Sequence, residues 1–569
     1  MKFRLTGLSI GAVALSIALF LISRQPILSG VLNFLHRSNV WEKRGNTIAM
    51  LLVVYGFLFF AVSVFSSINS LKFSTLLSQG IESLKNAPLA LKRLSASFID
   101  YHAGLGPAAI WLFLALAIGV AVRSYFLPQP MRGDEAFTFL NYVNQDFLSL
   151  FNYAAINNHV LNTLFIKLCT FIWGASPASI RFPDFLAGIA AIAFVFYFAR
   201  SLNQDKNAGA FAALGTAVFP YLILFSTNAR AYAVIGIFTL AIAICAFRYV
   251  GNPSKPVVVL LAFLSALGML TIPIMILPAA GIFCWAVCLL SINKVPLKAI
   301  VYQFAIPYGV WSGIFTFILY TPVILVSNGI EPIVANKFVK PFGWNEFFTL
   351  ILPKTQNAFD QLIRDVPLIA LLAIFLLFIV GICLSIRNRN WGMFLIIPSF
   401  FLAAVLVMLF QRQIPYDRTW VFIIPFVLLV ADFGVSFGLE RIPVRFQMLT
   451  NTILVLAGVC FAVSLMSRNI IGRYPDTSGF PEAPVAVQYL KPFLKEEDNV
   501  HVTATADWSV NFYFWYYGIP RPLTHQDGDA SRTFFIVKKS RSTIQDMTNR
   551  PVIKLLEIDD LALYQQVKR

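Results

Sequence analysis

The stretch MRGDEAFTFLNYVNQDFLSLFNYAAINNHVLNT, residues 131–163, holds two adjacent acids and, further on, a histidine flanked by amide side chains. Asp134 and Glu135 follow an apolar run at residues 106–126 that predicts a membrane span. We therefore expect both carboxylates where an apolar wall meets water, a position in which protonation is readily perturbed and polar ligands bind strongly. The alternative is that Gly-Asp-Glu only begins a short helix, with an acid at its N-terminus.

The composition of the chain indicates a polytopic membrane protein. Of its 569 residues, 58% are hydrophobic and 12% are charged, and the mean hydropathy is +0.73. Water-soluble domains carry about 25% charged residues, so this balance excludes that class. The net charge of +17 comes from basic residues dispersed between apolar runs. This dispersal is typical of topogenic and headgroup-binding charges, and it argues against a nucleic-acid partner.

Thirteen apolar runs are long enough to predict membrane helices. They lie near residues 6–23, 48–68, 106–126, 182–199, 207–225, 229–247, 256–271, 273–291, 302–325, 366–386, 392–410, 419–438 and 449–466. With the N-terminus inside, basic pairs such as Arg200/Lys206 and Arg387/Arg389 fall in short cytoplasmic connections, as the positive-inside rule requires. The same orientation places the acidic loop, residues 127–181, on the outer face.

One short apolar segment bears on this orientation. Residues 160–174 are apolar but number only ~15, and they include Asn162 and Lys167. We predict a juxtamembrane helix that dips into the membrane. Counting this segment as a span would invert the orientation of everything downstream.

Four regions follow from these patterns. Residues 1–70 predict an N-terminal two-helix membrane appendage, and the polar, helix-prone residues 71–105 predict a cytoplasmic amphipathic linker. Residues 106–467 predict the main transmembrane module. Residues 468–569 are more charged and contain short β-type runs, which predict a small extracytoplasmic α/β domain.

Neither the cysteines nor the histidines predict a metal site. The six cysteines lie in apolar segments without ligand spacing, and the five histidines form no pair at helical spacing. Two adjacent acids could hold a divalent cation. Because no second set of acids matches them by spacing, we predict no obligatory metal or other cofactor.

Four motifs resemble one enzyme superfamily when they are taken in order. They are GDEAFTF (133–139), NNHVLNTLFIKL (157–168), ASIRFPDFLAGIAAIAFVFYFAR (178–200) and FSTNARAYAVIGIF (225–238). This order resembles the GT-C glycosyltransferases of the bacterial protein-mannosyltransferase-like superfamily, which also includes aminoarabinose transferases. The resemblance covers about residues 106–440. It implies a polytopic α-helical protein of GT-C fold, in agreement with the predicted spans.

The resemblance implies an inverting enzyme that passes a sugar from a polyprenyl phosphate to a lipid, glycan or protein acceptor at the outer membrane face. The attacking hydroxyl must lose its proton, a nearby carboxylate can take it, and the family position favours Asp134 as this base. Glu135 would position acceptor or sugar, although the two roles could be exchanged because adjacent side chains point in different directions. In a bacterium the membrane would be the inner membrane with a periplasmic active site; in a eukaryote the face would be the lumen of the endoplasmic reticulum.

Cations near the leaving phosphate would stabilise the transition state. From the resemblance, the residues predicted to bind the donor phosphate are Arg230, His159, Arg412, Arg418, Lys337 and Lys340, with Lys354 and Arg364 in the same outer loop. The residues predicted to line the substrate pocket are Asn158, Asn162, Tyr232 and Tyr320. The alternatives are that the basic residues are headgroup anchors, that the tyrosines belong to interface belts, and that Arg181 and Asp184 pair with each other.

Two functions other than an enzyme also fit a chain with many spans. A transporter or lipid flippase would also place polar residues among many spans, but it predicts inverted repeats and polar groups near the membrane midplane. The sequence contains no such repeat, and its acids and arginines concentrate at one predicted face. An assembly protein anchored by its spans would not need thirteen of them. The pattern therefore favours an interfacial enzyme.

Overall fold

The computed structural model describes residues 15–19, 23, 47–56, 108–203, 208–327, 329–334, 341–474, 479–495, 498–519 and 532–567. Within these ranges the chain is mostly helical. The predicted appendage and linker, residues 1–105, lie outside the described residues except for short helical pieces at residues 15–19 and 47–56.

From residue 108 onward we number the α-helices in chain order. They are α1 (Ala108–Phe126), α2 (Gly133–Thr138), α3 (Val160–Trp173), α4 (Pro177–Asn203), α5 (Ala210–Val218), α6 (Pro220–Ser226), α7 (Tyr232–Gly251), α8 (Lys255–Thr271), α9 (Ile276–Ile292), α10 (Leu297–Ala299), α11 (Ile306–Val326), α12 (Glu331–Val334), α13 (Trp344–Ile363), α14 (Leu368–Arg387), α15 (Trp391–Gln411), α16 (Ile424–Leu439), α17 (Val444–Ser467), α18 (Ala483–Leu490) and α19 (Asp507–Tyr516). Between them lie π-helical turns at Phe139–Val143 and Ile300–Ala305, and 3-10 turns at Leu148–Phe151, Pro273–Met275, Asp417–Ile423 and Ile544–Asp546.

Nine helices in the described ranges are long and apolar enough to cross a membrane. They are Ala108–Phe126, Pro177–Asn203, Tyr232–Gly251, Pro273–Ile292, Leu297–Val326, Leu368–Arg387, Trp391–Gln411, Asp417–Leu439 and Val444–Ser467. Each overlaps a predicted span, so the predicted polytopic helical class is confirmed. Helix α8 is shorter, with 17 residues, and α3, predicted as a juxtamembrane helix, has 14 residues. The total of thirteen spans stays a prediction.

The predicted span at residues 207–225 differs from the observed structure. It is two short helices, α5 and α6, because Pro220 has no backbone N–H to give to the Thr216 carbonyl. At this break the carbonyl oxygens of Thr216 and Ala217 accept hydrogen bonds from the buried guanidinium of Arg123, on α1, at 3.0 Å and 2.7 Å. The broken helix is therefore held at its C-terminal end by a side chain from a neighbouring span.

The opposite end of α5 is held by a buried acid. The carboxylate of Asp432, on α16, accepts backbone N–H bonds from Gly209 at 2.7 Å, Phe211 at 3.0 Å and Ala212 at 3.1 Å. These N–H groups have no partner within the helix, and the helix dipole favours a negative charge beside them. A charge among membrane helices is costly unless it is paired. Asp432 therefore has a structural role. It fixes the N-terminal end of α5, as Arg123 fixes the C-terminal end.

Helices α14 and α16 approach closely because small residues lie at their crossing. A Cβ at Gly434 would lie 2.7 Å from the Leu377 carbonyl oxygen. Close backbone approach at glycine is the usual way in which membrane helices gain van der Waals contact. Any larger residue at Gly434 would force the two helices apart.

The C-terminal domain contains a four-stranded sheet of order β1-β2-β4-β3. Its strands are β1 (Asn499–Val502), β2 (Thr533–Lys538), β3 (Val552–Ile558) and β4 (Leu561–Gln566). Strands β1 and β2 are parallel, and the other two pairs are antiparallel. Alternate residues such as Phe534 and Ile536 face α18 and α19, as the period of two along a strand requires. The predicted small C-terminal α/β domain is confirmed.

This domain packs directly on the acidic loop. Phe139, just after α2, makes edge contacts with Phe512 at 5.6 Å and Trp515 at 4.8 Å, both on α19. The Met131 backbone N–H donates to the Tyr513 hydroxyl at 3.0 Å. One buried hydrophobic cluster contains residues of α2 and of the sheet domain. The loop and the domain therefore share a core.

Candidate active site

Asp134 lies in the first turn of α2 and remains accessible. Its carboxylate pairs with the guanidinium of Arg230; the Asp134 side chain is 34% exposed and that of Arg230 is 6% exposed. Asn157 donates from Nδ2 to Oδ1 of Asp134 at 3.2 Å. A carboxylate with these two partners and an open side can still accept a hydrogen bond from a ligand hydroxyl.

Glu135, the next residue, points into the protein. Its side chain is fully buried, pairs with Arg181, and accepts backbone N–H bonds from Arg132 at 2.8 Å and Ala229 at 3.0 Å. Burial favours the neutral acid, but the charge of Arg181 and these hydrogen bonds outweigh it and lower the pKa of Glu135 below its usual value. Glu135 is therefore ionised, enclosed and committed to protein partners.

Arg181 ties the segment before α2 to α4. Besides the ion pair with Glu135, its guanidinium donates to the carbonyl oxygens of Leu127 at 2.9 Å and Pro130 at 2.9 Å. The predicted pairing of Arg181 with Asp184 is wrong, because Arg181 reaches the acidic loop, while Asp184 accepts from Asn162 Nδ2 at 2.8 Å. The Arg181–Glu135 pair thus shapes the loop that presents Asp134.

Arg230 lies in the short connection between α6 and α7. Its Nε is buried and has no hydrogen-bond partner among the described residues. The next residue, Ala231, has a left-handed backbone with φ 58° and ψ 4°, a conformation that non-glycine residues seldom adopt. Asp134 therefore holds the side chain of Arg230, while Glu135 holds the backbone of the preceding residue, Ala229.

His159 precedes α3 and borders the same site. It is buried, its ring meets Tyr232 edge-on at 5.9 Å, and its Nδ1 has no hydrogen-bond partner among the described residues. Burial, followed by the charges of Arg230 and Arg418, holds the pKa of His159 well below its usual value. A neutral imidazole with an unsatisfied nitrogen therefore lies beside two arginines.

Arg418 reaches this site from the turn before α16. Its charge acts on His159, and its guanidinium lies 4.9 Å from the centre of the Tyr416 ring. The neighbouring Asp417 carboxylate accepts from the Tyr221 hydroxyl, which fixes the turn. The structure therefore brings together Asp134, Arg230 and His159, with Arg418 near enough for its charge to act on the histidine.

Other predicted phosphate-binding residues have different described partners. The guanidinium of Arg412 is 5.6 Å from the centre of the Trp344 ring, and the Lys354 amine is 4.8 Å from that of Phe342, a separate cluster at the start of α13. Arg364, exposed, donates to Gln361 at 3.3 Å. No described contact joins these three cations to Asp134. Lys337 and Lys340 lie outside the described residues.

Three of the four residues predicted to line the substrate pocket make hydrogen bonds within the protein. Asn158 donates to the carbonyl oxygens of Leu150 and Asn152, Asn162 donates to Asp184, and the Tyr320 hydroxyl donates to the Met269 carbonyl at 2.6 Å. Oδ1 of Asn162 is buried and has no hydrogen-bond partner among the described residues, so the pocket role of Asn158, Asn162 and Tyr320 stays a prediction. Tyr232, between the rings of His159 and Phe225, does border the site.

Sequence reasoning misses Asn157 and the Arg181–Glu135 pair. Asn157 is the first amide of the run Asn157-Asn158-His159, and the pattern alone does not tell which amide faces Asp134. In the described part of the chain, no group of three or more His, Cys, Asp and Glu side chains could hold a metal ion. Asp134 and Glu135 each pair with an arginine.

Comparisons with known proteins identify related folds. ArnT from Cupriavidus metallidurans in the apo state has a TM-score of 0.51 at 13% identity, covering 81% of this chain and 98% of that chain. ArnT bound to undecaprenyl phosphate has a TM-score of 0.50 with the same identity and coverage. Arabinosyltransferase EmbB from Mycobacterium smegmatis has a TM-score of only 0.36 at 12% identity, over 65% of this chain and 42% of that chain.

No protein-family model matches the sequence, and no curated protein matches it. The likeness to ArnT shows a shared fold and confirms the predicted GT-C architecture.

Proposed function

We propose that this chain is an inverting glycosyltransferase that moves a sugar from a polyprenyl-phosphate carrier to an acceptor at the outer face of the membrane. The observation that carries this proposal is the pairing of accessible Asp134 with buried Arg230, whose Nε has no hydrogen-bond partner among the described residues. Base and cation lie in one site together with polar atoms that a ligand would satisfy.

Asp134 is the proposed base. An acceptor hydroxyl bound at its open side gives its proton to the carboxylate as the oxygen attacks the anomeric carbon of the sugar, and such general-base catalysis contributes about 10²- to 10⁴-fold. The full burial of Glu135 and its bonds to Arg181 and two backbone N–H groups support the choice of Asp134 over Glu135. We assign Glu135 to the support of Asp134 and Arg230.

Arg230, with His159 and Arg418 beside it, is the proposed site of the donor phosphate. Negative charge grows on the phosphate as its bond to the sugar breaks, and donors fixed in advance stabilise that charge more in the transition state than in the ground state. The low pKa of His159 keeps the imidazole neutral, so the histidine can hydrogen-bond to phosphate or sugar without adding charge.

Two further findings support a lipid-linked donor. The site adjoins helices long and apolar enough to lie in a membrane, and ArnT, which shares the fold, has been observed bound to undecaprenyl phosphate. The basic residues in the predicted cytoplasmic connections support an outward-facing acidic loop. The donor would then reach Arg230 from the outer leaflet.

Mass spectrometry of lipid-linked sugars and envelope glycans tests the proposal in cells that carry wild type, Asp134→Asn or no copy of the chain. We expect one glycan modification to disappear without the chain and with Asp134→Asn, while a polyprenyl-phosphate sugar accumulates. Arg387→Gln, an exposed substitution at the end of α14, is the matched control and should behave as wild type. A transporter would change the lipid pool yet tolerate Asp134→Asn.

A further inference from the structure

Aromatic side chains of α19 border the helix that carries Asp134. Trp508 meets Phe137 of α2 edge-on, with ring centres 4.7 Å apart. Trp515, about two turns further along α19, lies against Phe139, with ring centres 4.8 Å apart. The C-terminal domain therefore touches α2 through aromatic rings.

These aromatic rings lie next to the accessible surface at Asp134. Asp134 and Phe137 are three residues apart in α2, so their side chains are neighbours on one face of the helix. On α19, Trp508, Asn511 and Trp515 share a face by the same spacing. Phe137, Trp508 and Asn511 are each partly exposed, and Trp515 is 36% exposed. We call these four residues, Phe137, Trp508, Asn511 and Trp515, the aromatic ledge.

We propose that the aromatic ledge binds a saccharide portion of the acceptor. This inference rests on the proposed function, which requires an acceptor hydroxyl at Asp134. A sugar ring presents a face of C–H groups, which packs on aromatic rings, and an edge of hydroxyls, which needs polar partners. The rings of Trp508 and Trp515 can pack against the C–H face of the sugar, and the amide of Asn511 between them can hydrogen-bond to its hydroxyls. The ledge thus matches the chemistry of a sugar that lies next to the base.

The ledge is held rigidly with respect to the base. Tyr513, on the opposite side of α19, accepts a hydrogen bond from the Met131 backbone three residues before Asp134. Phe512 and Phe139 are buried in the core that α2 shares with the sheet domain. A surface fixed in this way loses little conformational freedom when a ligand binds. Saccharide on the ledge would therefore present its hydroxyl to Asp134 in a defined position.

Photo-crosslinking identifies what the ledge contacts. A benzophenone amino acid replaces Trp508 in the full-length membrane protein, and in a second variant it replaces Trp173, an exposed tryptophan at the end of α3. We expect adducts that contain saccharide at position 508 and not at position 173. Because tryptophans also occur in membrane interface belts, phospholipid adducts at both positions would overturn the proposal, and so would adducts at position 508 that contain only polypeptide.

Kinetics distinguish failure of the ledge from failure of the proposed function. The donor is the polyprenyl-phosphate sugar pool extracted from cells that lack the chain, and membranes of the same cells supply the acceptor. Trp508→Ala should raise the apparent KM for acceptor membranes about tenfold, a loss expected for one stacking contact, with kcat retained. Trp508→Phe should recover part of the loss, and Trp173→Ala should match wild type. Both Trp508 variants must elute as folded protein in size-exclusion chromatography.

The two outcomes are separable. An unchanged acceptor KM in Trp508→Ala overturns the ledge and leaves the proposed function standing if Asp134→Asn still abolishes transfer. Full transfer by Asp134→Asn overturns the proposed function, and with it the premise of the ledge.

Discussion

The Asp134 carboxylate and the Arg230 guanidinium form an ion pair at the edge of the accessible site, with the acid one-third exposed and the arginine nearly buried. The pair joins the proposed base to the proposed phosphate ligand. A phosphate that binds Arg230 would share that cation with Asp134. The pairing therefore brings the proposed base and the proposed phosphate site to one arginine.

Arg230→Gln should lower product formation about 100-fold or more, because a fixed cation at a growing phosphate charge is lost. The matched control is Arg412→Gln, since Arg412 lies against Trp344 and no described contact joins it to Asp134. Initial rates at saturating donor measure both variants. Equal losses in the two variants would show that Arg230 has no special place at the phosphate.

Glu135→Gln should damage the fold more than the chemistry. It leaves the buried guanidinium of Arg181 without its counter-charge, and breaking a buried pair costs about 3–5 kcal/mol. Thermal unfolding in detergent should show a lower Tm, and the double variant Glu135→Gln/Arg181→Met should regain part of it because both charges are then absent. If the single variant kept its Tm but lost activity, Glu135 would be a reacting group and the assigned roles would be wrong.

Sequence patterns predict the helical class, the C-terminal sheet domain and the importance of Gly-Asp-Glu, because hydropathy and local motifs carry these features. They do not assign the two acids. Adjacent residues in a helix point about 100° apart, and only the tertiary fold decides that Asp134 meets the opening and Glu135 the core. Arg181 likewise pairs with Glu135, which is 46 residues away in the sequence, and not with Asp184, which is three residues away. Such long-range pairings leave no local periodicity.

His159 should make stability depend on pH. Burial and the charges of Arg230 and Arg418 hold the pKa of His159 well below its usual value. The unfolded chain therefore takes up a proton below about pH 6.5 that the folded chain refuses, so stability is full above that pH and falls as the pH decreases. Denaturant unfolding of the wild type should show the free energy of unfolding falling as the pH decreases from about 8 to 5. In His159→Gln this slope should be smaller by up to about 1.4 kcal/mol per pH unit. Identical slopes would mean that the histidine titrates normally.

Substitutions of Ala231 should test whether the backbone conformation at this residue positions the side chain of Arg230. Its left-handed φ of 58° disfavours alanine by about 1–2 kcal/mol, and glycine would remove this strain but also a buried methyl group worth about 1 kcal/mol. The two effects oppose, so Ala231→Gly should keep its Tm and its activity. Ala231→Val should lose activity, because a β-branched residue rarely adopts this conformation and the connection must move. Ala233→Val, two residues later in regular helix, is the control. Equal initial rates for the two valine variants would show that Arg230 does not depend on the backbone at Ala231.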